Sequence, residues 1–266
     1  MHLKRTRLIV FCVFLLCSLL LIVNAGTVRS SEPGYSYEEY DSQVVPTIDG
    51  KWTSPDEWTD GALLIIAPNA IFEGKVTIAT DTFEEHIVEI YSDNTNDTGD
   101  YWQFCFDTGN NGGTAPDSDD YRFDIVGHTT LVAYQGNGAG WTQLGSPPAG
   151  IYWANSIDSS PLWSTPHWIL EFRVDKVTSP ITTVPPLGLR VAVYDASDAG
   201  QGALAWPPTS QDDPSRWGQI SGYGGGPIPE GLSLGLALLL ATAAVVVGSY
   251  FLRKRPKTAR FVSSEM

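Results

Sequence analysis

Apolar and polar positions along this chain group into short runs rather than long helical periods. Residues 76–80 (VTIAT), 86–91 (HIVEIY), 101–106 (YWQFCF), 121–126 (YRFDIV), 168–174 (WILEFRV) and 189–194 (LRVAVY) are β-branched or aromatic, and clusters of Asp, Asn, Gly and Thr break them apart. Such runs fit a pleated, half-buried surface and predict strands. No stretch between residues 26 and 229 carries a sustained 3.6-residue period, and no internal repeat is visible. The expectation is an all-β domain, an antiparallel β-sandwich of jelly-roll or Ig-like type.

The two ends have a different pattern. Lys4, Arg5 and Arg7 precede an apolar run over 8–23 and the small residues around Asn24 and Ala25, the layout of a signal peptide over 1–25. Residues 232–252 carry no charge and are followed at once by Arg253, Lys254 and Arg255. At about 1.5 Å per residue such a helix crosses the roughly 30 Å of a bilayer core, and the basic cluster keeps 253–266 in the cytoplasm. The expected order is signal helix 1–25, polar leader 26–43, β-domain 44–220, Gly/Pro linker 221–231, transmembrane helix 232–252 and basic tail 253–266. The chain is then a single-pass protein of the cell membrane with its domain outside.

Charge sharpens this picture. Residues 26–229 hold 28 acids and 8 Lys and Arg, a net charge of −20. Nucleic acid is a poor partner for such a surface, whereas cations and uncharged sugars suit it. Cys105 is the one cysteine between the signal segment and the C-terminus, so no intrachain disulfide braces the domain.

Catalytic signals are weak. There is no Gly-x-Ser-x-Gly elbow, and His86, His128 and His167 lack metal-ligand spacing. A non-enzymatic binding protein is expected. The loops 92–100 (SDNTNDTGD) and 107–113 (DTGNNGG) are dense in oxygen donors, and Asp93, Asp97, Asp107 and Asn110 are the candidate ligands of a structural calcium ion. Asp and Asn also build turns on their own backbone, and the sequence leaves both readings open. Nine tryptophans lie between Trp52 and Trp217. An exposed indole stacks on the apolar face of a sugar, while a buried one fills a core.

In order, these segments resemble family 9 carbohydrate-binding modules and the wider DOMON-like β-sandwiches. The stretch 48–58 (IDGKWTSPDEW) is similar to that family's opening signature, 80–93 to its hairpin, 100–111 to a strand ending in an acidic turn, 119–123 to the strand that follows, 168–174 and 189–195 to its last core strands, and 204–206 with 213–218 (DPSRWG) to its closing motif. The resemblance implies that Asp49, Trp58, Asp195 and Trp217 are structural and that the domain binds a glycan or polysaccharide. The two tryptophans that clamp sugar in such modules fall near Asp97 and Gln211 here, so the stacking candidates become Trp206, Trp102, Trp141 and Gln211, with Trp153 and Trp163 as further platforms. Haem binding, the alternative within the same group, is disfavoured because Met1 and Met266 are the only methionines. A surface-layer or adhesion role is the other alternative. Residues 227–231 (PIPEG), the apolar helix and the basic cluster resemble the sorting tails of prokaryotic, including archaeal, surface proteins.

Overall fold

The computed structural model describes residues 32, 34–42, 44–77, 83–181 and 185–224. The expected signal peptide, transmembrane helix and basic tail lie outside these residues. Among the described residues no helix is long and apolar enough to cross a membrane.

Among the described residues thirteen strands follow in order: β1 (Ser36–Ser42), β2 (Ala62–Ala67), β3 (Ala70–Thr77), β4 (Phe83–Ile90), β5 (Tyr101–Asp107), β6 (Asp120–Val126), β7 (Thr130–Gly136), β8 (Trp141–Gln143), β9 (Ile151–Asp158), β10 (His167–Asp175), β11 (Leu187–Tyr194), β12 (Leu204–Trp206) and β13 (Gly218–Gly224). They form one curled sheet of order β8-β7-β6-β5-β11-β13-β1-β3-β4-β10-β9, with β12 added to β11 and β2 to β3. Nearly all pairs are antiparallel, but β1 runs parallel to β3 with Tyr40 opposite Lys75, so the sheet is mixed. The only helical pieces among the described residues are two 3₁₀ turns, Ala196–Asp198 and Pro214–Arg216.

Curling brings distant strands face to face. Phe104 of β5 stacks on Phe172 of β10 with ring centroids 4.6 Å apart, although five strands separate β5 from β10 in the sheet order. Phe72, Val88, Leu170, Val174, Leu189 and Val191 join them in a single core. Period-two alternation accounts for this: Trp102, Phe104 and Phe106 of β5 point inward together.

Strand β4 is buried on both faces, which is why it reads as an almost unbroken run. Val88 and Ile90 face the main core, while Ile87 turns the other way to meet Trp52, Trp58 and Ile169. The opening segment covers that second face. Glu171 fixes it by accepting the backbone N–H of Asp49 and of Gly50, each at 2.8 Å, and the Trp58 indole at 3.0 Å. Gly50 sits at φ +81°, and a Cβ there would meet the Asn155 backbone at 2.5 Å. The Ile-Asp-Gly signature is therefore a backbone fit against β9.

Candidate functional site

Alternation that sends Trp102, Phe104 and Phe106 inward sends Tyr101, Gln103 and Cys105 to the outer face of β5. Register aligns them with neighbours: Cys105 lies opposite both Arg122 of β6 and Arg190 of β11, and Gln103 opposite both Asp124 and Ala192. On β7, Tyr134 continues the row beyond Arg122.

These side chains form one network. Arg122 grips Asp124 with two donors, Nε to Oδ1 at 2.9 Å and Nη2 to Oδ2 at 2.6 Å. Gln103 donates to Asp124 at 2.9 Å and accepts from Arg190, whose Nε reaches the Ser210 carbonyl at 3.2 Å. Burial works against the Arg122 charge, but the Asp124 hydrogen bond and charge outweigh it and hold the guanidinium pKa above its usual value.

Aromatic rings frame the network. Tyr134 lies under the Arg122 guanidinium at 5.0 Å, and Tyr101 stacks on Tyr194 at 5.4 Å. At the rim, Trp141 is half-buried, lies parallel to Trp217 at 6.2 Å and donates its indole N–H to Asp212 at 2.8 Å. Asp212 also stands 3.7 Å from Arg122. The Cys105 thiol beneath is fully buried, and burial pushes its pKa up to about 12, so it contributes no thiolate.

The four stacking candidates part company. Trp102 and Trp206 are 1% and 6% exposed and belong to the main core, so neither offers an indole face to a ligand. Trp141 is placed at the network's rim. Gln211 is exposed beside it, its carbonyl accepting the Trp217 indole at 2.8 Å. Of the further platforms, Trp163 is 45% exposed and stacks on Tyr91 at 4.9 Å. Trp153 packs against the core and borders a cleft of about 470 Å³ with Ile48, Ile151, Tyr152 and Arg173. In that cleft the Arg173 donors are taken by Glu85 and the Pro46 carbonyl.

The calcium candidates also separate. Asp107 and Asn110 lie at one end of β5, where Asp107 accepts the N–H groups of Asn111 and Gly112 at 3.2 and 2.8 Å and so closes a turn. Asp93 and Asp97 lie at the other end, roughly 20 Å away at about 3.3 Å per residue. A single site cannot use all four. Asp93 is instead grouped with Asp100 and His128, and Asp97 with Asp100 and Asp195, the potential ligand atoms within each group lying within 4.8 Å of one another. Asp93 is fully buried and its Oδ2 has no hydrogen-bond partner; burial pushes its pKa up to about 7. A buried carboxylate oxygen without a donor fits a cation, and this oxygen-rich set fits a hard one.

The four signature residues differ in placement. Trp58 and Trp217 are fully buried, Asp195 caps the first 3₁₀ turn through the N–H of Ser197 and Asp198, and exposed Asp49 closes its own turn onto the N–H of Lys51 at 3.0 Å.

The chain is similar to two solved structures of a family 9 carbohydrate-binding module from Caldicellulosiruptor kristjanssonii. One, in complex with glucose, has 19% identity and a TM-score of 0.46, covering 71% of this chain and 98% of the other. The second, in complex with cellotriose, has 18% identity and a TM-score of 0.46, covering 71% and 97%. No protein-family model matches the chain, and no curated protein matches it.

Proposed function

We propose that this protein is a non-catalytic carbohydrate binder of β-sandwich type, held at the cell surface by its C-terminal helix, and that the outer face of β5, β6, β7 and β11 receives the sugar. One observation carries the reading: the Arg190, Gln103, Asp124 and Arg122 network, pre-ordered by its own hydrogen bonds, with Trp141 at its rim. Sugar hydroxyls both donate and accept, and the partly exposed Arg122, paired with Asp124, offers donors and an acceptor in fixed geometry, with Gln103 and Arg190 buried behind it. An aromatic ring alongside covers the apolar C–H face of the pyranose. Because the groups already hold one another in place, little ordering entropy is lost on binding.

Calcium, in this reading, occupies the Asp93, Asp97, Asp100 and Asp195 end of the domain as a structural ion. The excess of acids makes the exposed surface a poor one for nucleic acid.

The test is a glycan array probed with the full chain in mild detergent, with glucose and cellotriose among the probes, in calcium and in chelator. Binding to defined glycans supports the proposal; a blank array in both conditions removes it.

A further inference from the structure

We infer that Trp163, stacked on Tyr91, is a second sugar-stacking site on the outer face opposite the Arg122 network, so that one molecule holds two glycan chains. The two-chain part rests on the Arg122 face binding sugar; the Trp163 site stands on geometry of its own.

Strand alternation puts the two sites back to back. Phe104 of β5 and Phe172 of β10 meet in the core, and Gln103 points away from it on the β5 side. On the other side Val88 and Ile90 of β4 face the core, so Ile87, Glu89 and then Tyr91, one residue past the strand, form the outward row.

Trp163 lies flat over Tyr91. The rings are 15° from parallel with centroids 4.9 Å apart, and His167 closes the edge of Tyr91 at 5.2 Å. One face of the indole is thereby covered, while the residue as a whole is 45% exposed, which leaves the other face open. A flat apolar surface of that size takes the C–H face of one pyranose.

The loop that carries the indole is held in place. The Trp163 N–H donates to the Ser160 carbonyl at 3.2 Å and to its Oγ at 3.1 Å, and the Trp163 carbonyl accepts the Ser160 N–H at 2.9 Å. Ser160 Oγ donates to Glu89 Oε2 at 2.8 Å, and His167 Nε2 stands 2.9 Å from the same oxygen. His167 Nδ1 donates to the Thr165 carbonyl at 2.8 Å. One buried glutamate thus anchors the loop on both sides of Trp163, and little ordering entropy is lost when a ring settles there.

Neutral donors flank the rings. The Tyr91 N–H donates to the Asn69 carbonyl at 2.7 Å, and Asn69 Nδ2 reaches Ser92 Oγ at 2.8 Å and Gln201 Oε1 at 3.2 Å. Ser92 and Gln201 are exposed, and Gln201 Nε2 and the Tyr91 hydroxyl donate to nothing among the described residues. Burial, then the Glu89 and Glu73 charges, raise the Tyr91 pKa, so its phenol stays a donor. Such groups suit sugar hydroxyls. The excess of acids turns anions away. A protein partner is a poorer fit, because the exposed apolar surface of the loop is Leu162 and Trp163, far short of the roughly 800 Å² per partner of a stable interface.

The experiment photolyses the full chain, in mild detergent, with cellotriose carrying a diazirine, and maps the label by peptide mass spectrometry. The expected result is two labelled segments, one within 158–167 and one on the Arg122 face, both suppressed by excess unlabelled cellotriose. Trp163→Ala, with a melting temperature near wild type, should lose label at 158–167 at least tenfold and keep the other; Arg122→Lys should do the reverse. Trp163→Phe, which keeps a ring on Tyr91, should restore part of the loss. Label confined to the Arg122 face, or label at 158–167 that is unchanged in Trp163→Ala, overturns the second site and leaves the first standing. Label confined to 158–167 overturns two-chain binding and contradicts the Arg122 site instead, and label at neither place removes both.

Discussion

Trp58 and Glu171, 113 residues apart in the chain, meet inside the domain with the indole N–H 3.0 Å from the carboxylate. The same carboxyl holds Asp49 and Gly50 by their backbone, so one buried acid fastens the opening segment across β10. On the other side of Trp58, the Lys75 ammonium lies 5.1 Å from the ring centroid. Truncating Trp58 to Ala removes the centre of the smaller core and should cost about 3 to 5 kcal/mol, a large share of the roughly 5 to 15 that holds a domain together. Chemical denaturation should show an unfolded or severely destabilised chain; a stable Trp58→Ala would refute this role.

Acid should stabilise the domain. Burial raises the Glu171 pKa from 4.5 to about 7, and burial followed by the Glu89 charge raises Glu73 from 4.5 to about 8. Between about pH 4.5 and these values the folded state holds protons that the unfolded chain has released. The stabilisation is full below about pH 4.5 and is lost as pH rises through about 7 and 8. For Glu171 it amounts to about 3 kcal/mol, at about 1.36 kcal/mol per pKa unit. Melts in chelator should therefore give a higher Tm at pH 5 than at pH 8, with a shallower slope in Glu171→Gln. A Tm that rises steadily from pH 5 to 8 would contradict this.

Trp206 should behave as a core residue. It packs edge-on to Tyr35 and Tyr37 at 6.1 and 6.4 Å and lies over Gly218, where a Cβ would strike its ring. Trp206→Ala should cost about 3 to 5 kcal/mol, whereas the half-buried Trp141→Ala should melt close to wild type and weaken glycan binding by about 1 to 3 kcal/mol, by analogy with other aromatic stacking on rings. Melts and binding curves for the two variants check the division. A Trp206 variant that stays stable while losing sugar would reverse it.

How much of this was readable in advance follows from burial. Five of the six strands read from the sequence correspond to β4, β5, β6, β10 and β11, strands with an almost continuously buried stretch, whereas the run 76–80 meets only the last two residues of β3 and otherwise lies outside the described residues. Strands β8 and β9 end the sheet, and β7 lies beside β8; with less of their surface covered they need no unbroken apolar run, and the sequence reading passed over them. Strand β1 (SYEEYDS) was hidden because its inward positions are Tyr37 and Glu39, and a buried glutamate gives no apolar signal. Trp102 could have been placed correctly, since alternation in YWQFCFD puts it on the side of Phe104 and Phe106. Arg122, Asp124, Gln103 and Arg190 were not legible as a site. Each is a lone polar residue in a strand, and only register sets them side by side.

Calcium should stabilise the end of the domain built by Asp93, Asp97, Asp100 and Asp195. An ion that binds only the folded state adds RT ln(1 + [L]/Kd), about 2.7 kcal/mol at a hundredfold excess over Kd. Chelator should lower the Tm by several degrees, and Asp100→Asn should abolish the difference. Identical melts of the wild type in calcium and chelator would remove the ion from the account.

The central claim is that sugar binds on the Arg122 network. It is tested most directly by titrating the strongest glycan from the array into wild type and into Arg122→Lys, a change that keeps the charge but loses the two-pronged grip on Asp124. With the melting temperature of the variant near that of wild type, the account predicts affinity at least tenfold weaker; unchanged affinity in a folded Arg122→Lys would place the sugar elsewhere and contradict it.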